Sequence, residues 1–368
     1  MDRLASGSLL IIGNGFDKNC GLKSSFSDFY STVNKESNLW YMLFDFAFNN
    51  TWVFQAKSCI VNFINRSSIL WMDIEDFIKR ILFMHRDGEK KQNQLYRMFG
   101  CKTYLDVLKT AFRQRNNFDY LYSNRQFSFL KEFFRKNKCD KDFDINITEF
   151  LNDELKRFET DFKQYIEKET KNNEDYLNKT SKVIAELVGE EETNDILSFN
   201  YTTPDKGALG HFAYNNINNI HGSIESNIII GYDSGDLIDG SIDGRLKMSK
   251  SWKKMFFPLS LSYLPSQKQI TSIKIYGHSL GEQDYSYFYA LFDHYDIYNS
   301  SVTLIFYYTP YGDTDMANQV ITEKYISSVY KLLNSYVSKT SNAAKGNIVV
   351  NKLILENRIK ILTIQKYS

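Results

Sequence analysis

Four cysteines, four prolines and five histidines are few for a chain of 368 residues. Cys20, Cys59, Cys101 and Cys139 stand about 40 residues apart, and none belongs to a Cys-x-x-Cys pair. Such isolated thiols exclude a disulfide-dense scaffold, give no zinc-ligand spacing and fit a reducing cytoplasm. No metal is expected. Proline is absent before Pro204, and Gly88 and Gly100 are the only glycines between Leu22 and Val188. A long stretch nearly free of both breakers is what a helical region looks like. Charge of one sign is also lacking: Lys and Arg number 45 against 44 Asp and Glu, a net charge of +1. No global field draws the chain to nucleic acid or to an anionic membrane. No apolar run approaches the length of a membrane span, and the first, residues 9–12, is too short for a signal-peptide core. The expected location is the cytoplasm.

What is present is ordinary for a globular protein: 43% hydrophobic and 24% charged residues. At roughly 150 residues per domain the length suggests two to three domains. Helical spacing recurs in Phe26, Phe29, Tyr30 and Val33, in Trp71, Ile74, Phe77, Ile78 and Ile81, and in the series from Ile147 through Phe158 to Tyr165. Ser25-x-x-Asp28 is close to a capping box. Short apolar runs suggest strands at 9–12, 196–199, 228–230, 273–276 and 302–308. Residues 348–355 and 359–364 read as two more, paired as a hairpin or flanking the sheet. Runs of this kind that stop at Gly or Asn indicate a buried, mostly parallel sheet. The expected fold is therefore α/β: residues 1–30 and 190–368 form a Rossmann-like nucleotide-binding domain, with 31–189 as a large α-helical insertion.

In open α/β sheets ligands bind at the carboxyl ends of the strands, and four polar clusters fall there. Gly13-Asn14-Gly15-Phe16-Asp17 follows the first run, so its glycines can turn tightly beside a ligand. Lys18 stands where a third glycine of Gly-x-Gly-x-x-Gly would be, so the motif alone is weak. Asp17 repels a phosphate and suits ribose hydroxyls or a turn cap. Asn200-Tyr201-Thr202 follows the second run, where a lone Asn often only closes an Asx-turn. Ile220-His221-Gly222 supplies an imidazole suited to proton transfer near neutral pH. Gly277-His278-Ser279-Leu280-Gly281, then Asp284, follows a later run. Its Gly-x-Ser-x-Gly spacing imitates a hydrolase elbow, but the only downstream histidine, His294, leaves little room for the acid that fold needs. Asp73 and Glu75 lie in an acidic helical start, which charge patterning alone reads as a solvated helix terminus.

Taken together, these motifs resemble the AbiH family of phage abortive-infection proteins. The resemblance rests on Gly13-Asn14-Gly15-Phe16-Asp17 with Gly21-Leu22, Trp71-x-Asp73-Ile74-Glu75, Phe199-Asn200-Tyr201-Thr202, Ile220-His221-Gly222 and Gly277-His278-Ser279-Leu280-Gly281 with Asp284. It implies a defence function and raises the expectation that Asp73 and Glu75 are functional. More distantly, the order of motifs is similar to sirtuin-like NAD-binding domains. That likeness implies catalytic roles for Asn200, positioning water, and His221, acting as base. It implies NAD contacts for Gly13, Asn14, Gly15, Phe16, Asp17, Thr202, Gly277, His278, Ser279 and Asp284. Asn14, Asp17 and Thr202 depart from the sirtuin pattern, and the missing cysteine pairs argue against deacylation. The implied activity is NAD+ hydrolysis at the nicotinamide–ribose bond, triggered by a phage component. Two alternatives stay open: a nucleotide-binding sensor that signals through the helical insert, and a nuclease using a divalent metal on Asp17, Asp73 and Glu75. A nucleotide ligand and a homo-oligomer are expected; a membrane or nucleic-acid partner is not.

Overall fold

The computed structural model describes residues 7–49, 74–82, 147–188, 193–204, 214–233, 244–256, 264–339 and 348–367. Trp71, Asp73, His85, His211 and three of the cysteines lie outside them. The chain divides into two compact units. One comprises residues 1–24, 163–228 and 257–368; the other comprises 25–162 and 229–256.

The first unit is built on six strands: β1 (Gly7–Ile12), β2 (Thr193–Ser198), β3 (Tyr214–Asn219), β4 (Ile270–Tyr276), β5 (Thr303–Tyr308) and β6 (Ile359–Thr363). Every pairing is parallel, in the order β3-β2-β1-β4-β5-β6. This is the doubly wound, Rossmann-like order, in which the chain reverses direction across the sheet between β1 and β4. Alternation along β1 explains the two layers. Leu9 and Ile11 pack into a core with Ile273, Ile275, Phe306 and residues of the helices Tyr285–His294, Asp315–Lys339 and Ile348–Leu355. Leu10 and Ile12 point to the other face, into a core with Phe16, Ile196, Tyr276 and Val183, Ile184 and Leu187 of the helix Tyr176–Val188. Strands buried on both faces need apolar residues at every position, which is why β1 reads as a continuous run.

Three strand expectations need correction. Residues 348–355 form a helix, with Val349, Val350 and Leu353 buried at i, i+1 and i+4. β-branched content suggested a strand, but that preference yields to packing. Of the two arrangements expected for residues 359–364, a hairpin or a flanking strand, the second forms as β6, parallel to β5 at the sheet edge, and only the hairpin is corrected. Residue 228 makes only an isolated antiparallel bridge, to Gly222. Ile228, Ile229 and Ile230 are all buried, so the run reports burial and not a ladder. Conversely β3, Tyr-Asn-Asn-Ile-Asn-Asn, is too polar to be recognised as a strand; as an edge strand it needs few apolar positions.

The second unit is rich in aromatic contacts. Phe26, Phe29, Phe44, Phe158 and Phe162 meet with ring centroids 5.0–6.4 Å apart, and Phe44 stacks on Phe77 at 4.0 Å. The capping box is present: Ser25 Oγ accepts from Asp28 N at 3.2 Å and Ser25 N donates to Asp28 Oδ2 at 3.1 Å. Lys250 is buried, with its ammonium 2.5 Å from Glu75. Beside this pair in charge, Glu159 holds Lys253 at 2.6 Å, and burial pushes the Glu159 carboxyl up and the Lys253 ammonium down. Glu75, singled out above as a functional candidate, is thus the counter-ion of a buried lysine. Lys250→Met should leave that carboxylate without its ammonium and cost about 3–5 kcal/mol, whereas Lys250→Met with Glu75→Leu should recover most of the loss. Urea denaturation of both variants checks this. Equal losses in the two would show that the pair is not coupled.

Candidate functional site

The carboxyl end of β1 runs into Gly13, whose extended backbone caps the short helix Asn14–Asn19. The glycines here are packed against another loop of the same unit. Gly13 N donates to Tyr276 O at 3.0 Å and Gly15 N to Gly277 O at 2.6 Å. A Cβ on Gly15 would lie 2.8 Å from Gly277 Cα, and one on Gly277 (φ +70°) only 2.2 Å from Phe16 N. Gly13 and Gly15 thus come close to the β4 loop, at the point where the sheet reverses direction. Phe16 is fully buried, edge-on to Tyr276, and so belongs to the core. Asn14 Oδ1 accepts from the Ser24 hydroxyl.

Asp17 lies in the first turn of the same helix and is 2% exposed. Tyr176 Oη donates to Oδ1 at 2.8 Å, and the Thr202 hydroxyl reaches both oxygens at 2.9 and 3.0 Å. The carboxylate therefore joins the first helix, the helix Tyr176–Val188 and the loop after β2. Both oxygens are engaged by protein hydroxyls in the interior. Burial pushes its pKa up from 3.8 to about 6, against the hydrogen bonds from Tyr176, Thr202 and Asn200 that lower it.

A folded-state pKa above the unfolded one means that the folded chain holds this proton more tightly. The stability Asp17 contributes is complete below about pH 4 and is lost as pH rises through about 6. At 1.36 kcal/mol per unit the loss is about 3 kcal/mol. Asp17→Asn should remove that dependence, since the hydroxyls of Tyr176 and Thr202 can turn to meet an amide. Urea midpoints of both proteins across pH 4–7 test it. A difference between them that stays constant with pH would contradict the assignment.

Asn200, at the end of β2, is 4% exposed and donates from Nδ2 to Gly13 O at 3.1 Å. It ties the β2 end to the glycine turn and to Asp17. Asn219, at the end of β3, holds this loop from below: its Nδ2 donates to Asn200 O at 2.8 Å and to Thr202 O at 2.9 Å.

Two residues beyond Asn219 stands His221, 5% exposed, with Nε2 3.4 Å from Asp284 Oδ1. His278, just beyond β4, is 6% exposed and places its own Nε2 3.3 Å from Asp284 Oδ2. One carboxylate thus faces two imidazoles. Phe199 packs against both rings, edge-on to His221 at 5.5 Å and to His278 at 4.4 Å, and Tyr287 lies 5.6 Å from His221. Ser279 is exposed. The structure therefore gathers His221, His278 and Asp284 into one cluster and Asp17, Asn200 and Thr202 into another, with Gly13 and Phe199–Asn200 running between them.

Sequence reasoning missed Tyr176, Asn219, Phe199 and Tyr287 as site residues. Tyr176 begins a helix far from any strand end, so no local pattern marks it. Phe199 reads as the last apolar residue of a strand, and only its neighbours reveal its place between the imidazoles. An open hollow of about 470 Å3 lies over Gly21, Leu22, Lys23, Glu169, Asn173 and Lys179, and neither cluster lines it. Mixed charge and openness make it a poor rival to the clusters as a chemical centre. Among the described residues no three His, Cys, Asp or Glu are arranged to hold a metal ion. Asp73 of the carboxylate trio lies outside those residues. No helix among the described residues is long and apolar enough to cross a membrane.

No curated protein and no solved structure matches the chain. The family model described as bacteriophage abortive infection AbiH matches residues 9–308, from within β1 to the last residue of β5. That span contains both clusters and most of the sequence, and the chain belongs to the AbiH family of bacteriophage abortive-infection proteins.

Proposed function

We propose that this AbiH chain exerts its role in phage defence by hydrolysing NAD+ at the nicotinamide–ribose bond, with His221 as general base. The observation that carries the reading is the His221–Asp284 contact of 3.4 Å at the carboxyl edge of a doubly wound sheet. A base oriented by a carboxylate is the recurring unit of proton-transfer catalysis. Water attacks the ribose carbon and gives its proton to His221. The bond to the ring nitrogen breaks, its electron pair neutralises the pyridinium, and nicotinamide and ADP-ribose result. The sugar passes through oxocarbenium character, as in other glycoside cleavage. Asn200 acts by position, since its amide is bound to Gly13 O and supports Asp17. The sirtuin-like order of Asn200, His221 and Gly277-x-Ser279 supports the choice of substrate.

A second reading, a nucleotide sensor without turnover, draws on Asn14, Asp17 and Thr202, which depart from the sirtuin pattern and are bonded to Ser24, Tyr176 and one another. Incubation of the purified full chain with NAD+, with nicotinamide followed by chromatography, tests the first reading. Calorimetric binding of NAD+ without product, before and after addition of phage-infected extract, selects the second.

A further inference from the structure

We propose that Asp284 and His278 are positioning residues that set the proton of His221 on Nε2 and leave Nδ1 as its basic nitrogen. The argument begins at the β4 turn. Leu280 N donates to His278 Nδ1 at 2.9 Å. A ring nitrogen that accepts carries no proton, so neutral His278 is protonated on Nε2. That N–H faces Asp284 Oδ2 at 3.3 Å. The second oxygen, Oδ1, faces His221 Nε2 at 3.4 Å. A lone pair there would oppose the carboxylate, so His221 also carries its proton on Nε2, and its lone pair is on Nδ1.

The turn is built to fix the first step. Leu280 is buried and adopts φ +53°, a left-handed conformation that costs an ordinary side chain about 1–2 kcal/mol. Its amide N–H is aimed at His278. Gly277 at φ +70° begins the same turn. Phe199 fixes the planes of both rings from one side. The other nearby acid, Glu282, is turned to Lys331 at 2.6 Å. Asp284 is thus the carboxylate that receives both imidazoles.

This relay rests on His221 being the base, but its test can be read without turnover. Asp284→Asn keeps the shape and makes the two ends unequal. His278 can only donate, so it must take the amide oxygen, and the amide NH2 then faces His221 Nε2. That atom must now accept, so the His221 proton should move to Nδ1. Adding His278→Phe releases the amide, which can turn its oxygen to His221 and restore Nε2–H. Nitrogen-15 NMR of the histidine rings reads both states directly in the full chain. With five histidines, single substitutions assign every signal.

The expected results are Nε2–H on His221 in the wild type, Nδ1–H in Asp284→Asn and a return in the double variant. For the hydrolysis reading, Asp284→Asn should lower kcat by about 10²–10⁴-fold with little change in KM. His221 protonated on Nδ1 in the wild type overturns the relay, as does an unchanged His221 in Asp284→Asn or no return in the double variant. The expected shifts without any NAD+ turnover in the wild type uphold the relay and refute the hydrolase.

Discussion

Replacing His221 by alanine is expected to lower NAD+ consumption by about 10²–10⁴-fold, the usual contribution of a general base. At 1.36 kcal/mol per tenfold this corresponds to about 3–5 kcal/mol of transition-state stabilisation. The size of the effect follows from the place of the ring. It is the imidazole that a strand end, β3, delivers beside a carboxylate, Asp284, held by a separate turn after β4. Removing it leaves the water without a proton acceptor, while the sheet that bears it is untouched. A small loss of stability should accompany the change, because the ring packs against Phe199 and Tyr287. His221→Gln keeps more of that packing and serves as the control: it should be nearly as inactive but closer to the wild type in thermal midpoint. Full NAD+ consumption by His221→Ala would remove the base from the mechanism and with it the assignment of the site.

The largest loss of stability is expected from Gly277→Ala. A Cβ at this position would lie 2.2 Å from Phe16 N and 2.8 Å from Gly15 C, both backbone atoms with little freedom to move. The residue also sits at φ +70°, where a side chain costs about 1–2 kcal/mol before any clash. Together these should exceed 4 kcal/mol, in the range reserved for substitutions that break a special backbone geometry. The loss should extend to function, since the turn that carries His278 and the glycine turn of β1 would be pushed apart. Gly281→Ala, four residues on, is the counterpart. Its φ is −72° and the nearest atom is the flexible end of Gln283 at 3.3 Å, so little change is expected. Denaturation midpoints of the two variants make the comparison, and similar losses in both would show that the contact between the turns has been misread.

The motifs at the ends of β1, β2 and β4 are legible because each strand is an apolar, buried run that stops at a glycine or an asparagine. Apolar runs ending at Gly13, Asn200 and Gly277 therefore marked both the strand and the place where chemistry gathers. The capping box at Ser25 was legible for a similar reason, since its hydrogen bonds join residues three apart. β3 was hidden because an edge strand of asparagines has no apolar pattern to show. The helix Ile348–Leu355 reads as a strand along the chain because valine and isoleucine favour strands, a preference that holds only where neighbouring packing agrees, and here it does not.

By itself, the sequence determined the element types over most of the described sheet, the identity of the polar groups at its edge and the family they mark. It left open which of those groups meet. Asp284 lies 63 residues after His221 (284 − 221), and nothing local announces that they face each other. The same holds for Tyr176 with Asp17, and for Gly15 with Gly277. Contacts of this range are set by strand order and by the left-handed turn at Gly277, which place distant loops side by side. Local hydrogen bonding and periodicity act over a few residues and can be read along the chain; the position of a proton on His221 depends on atoms that only the folded sheet brings within reach.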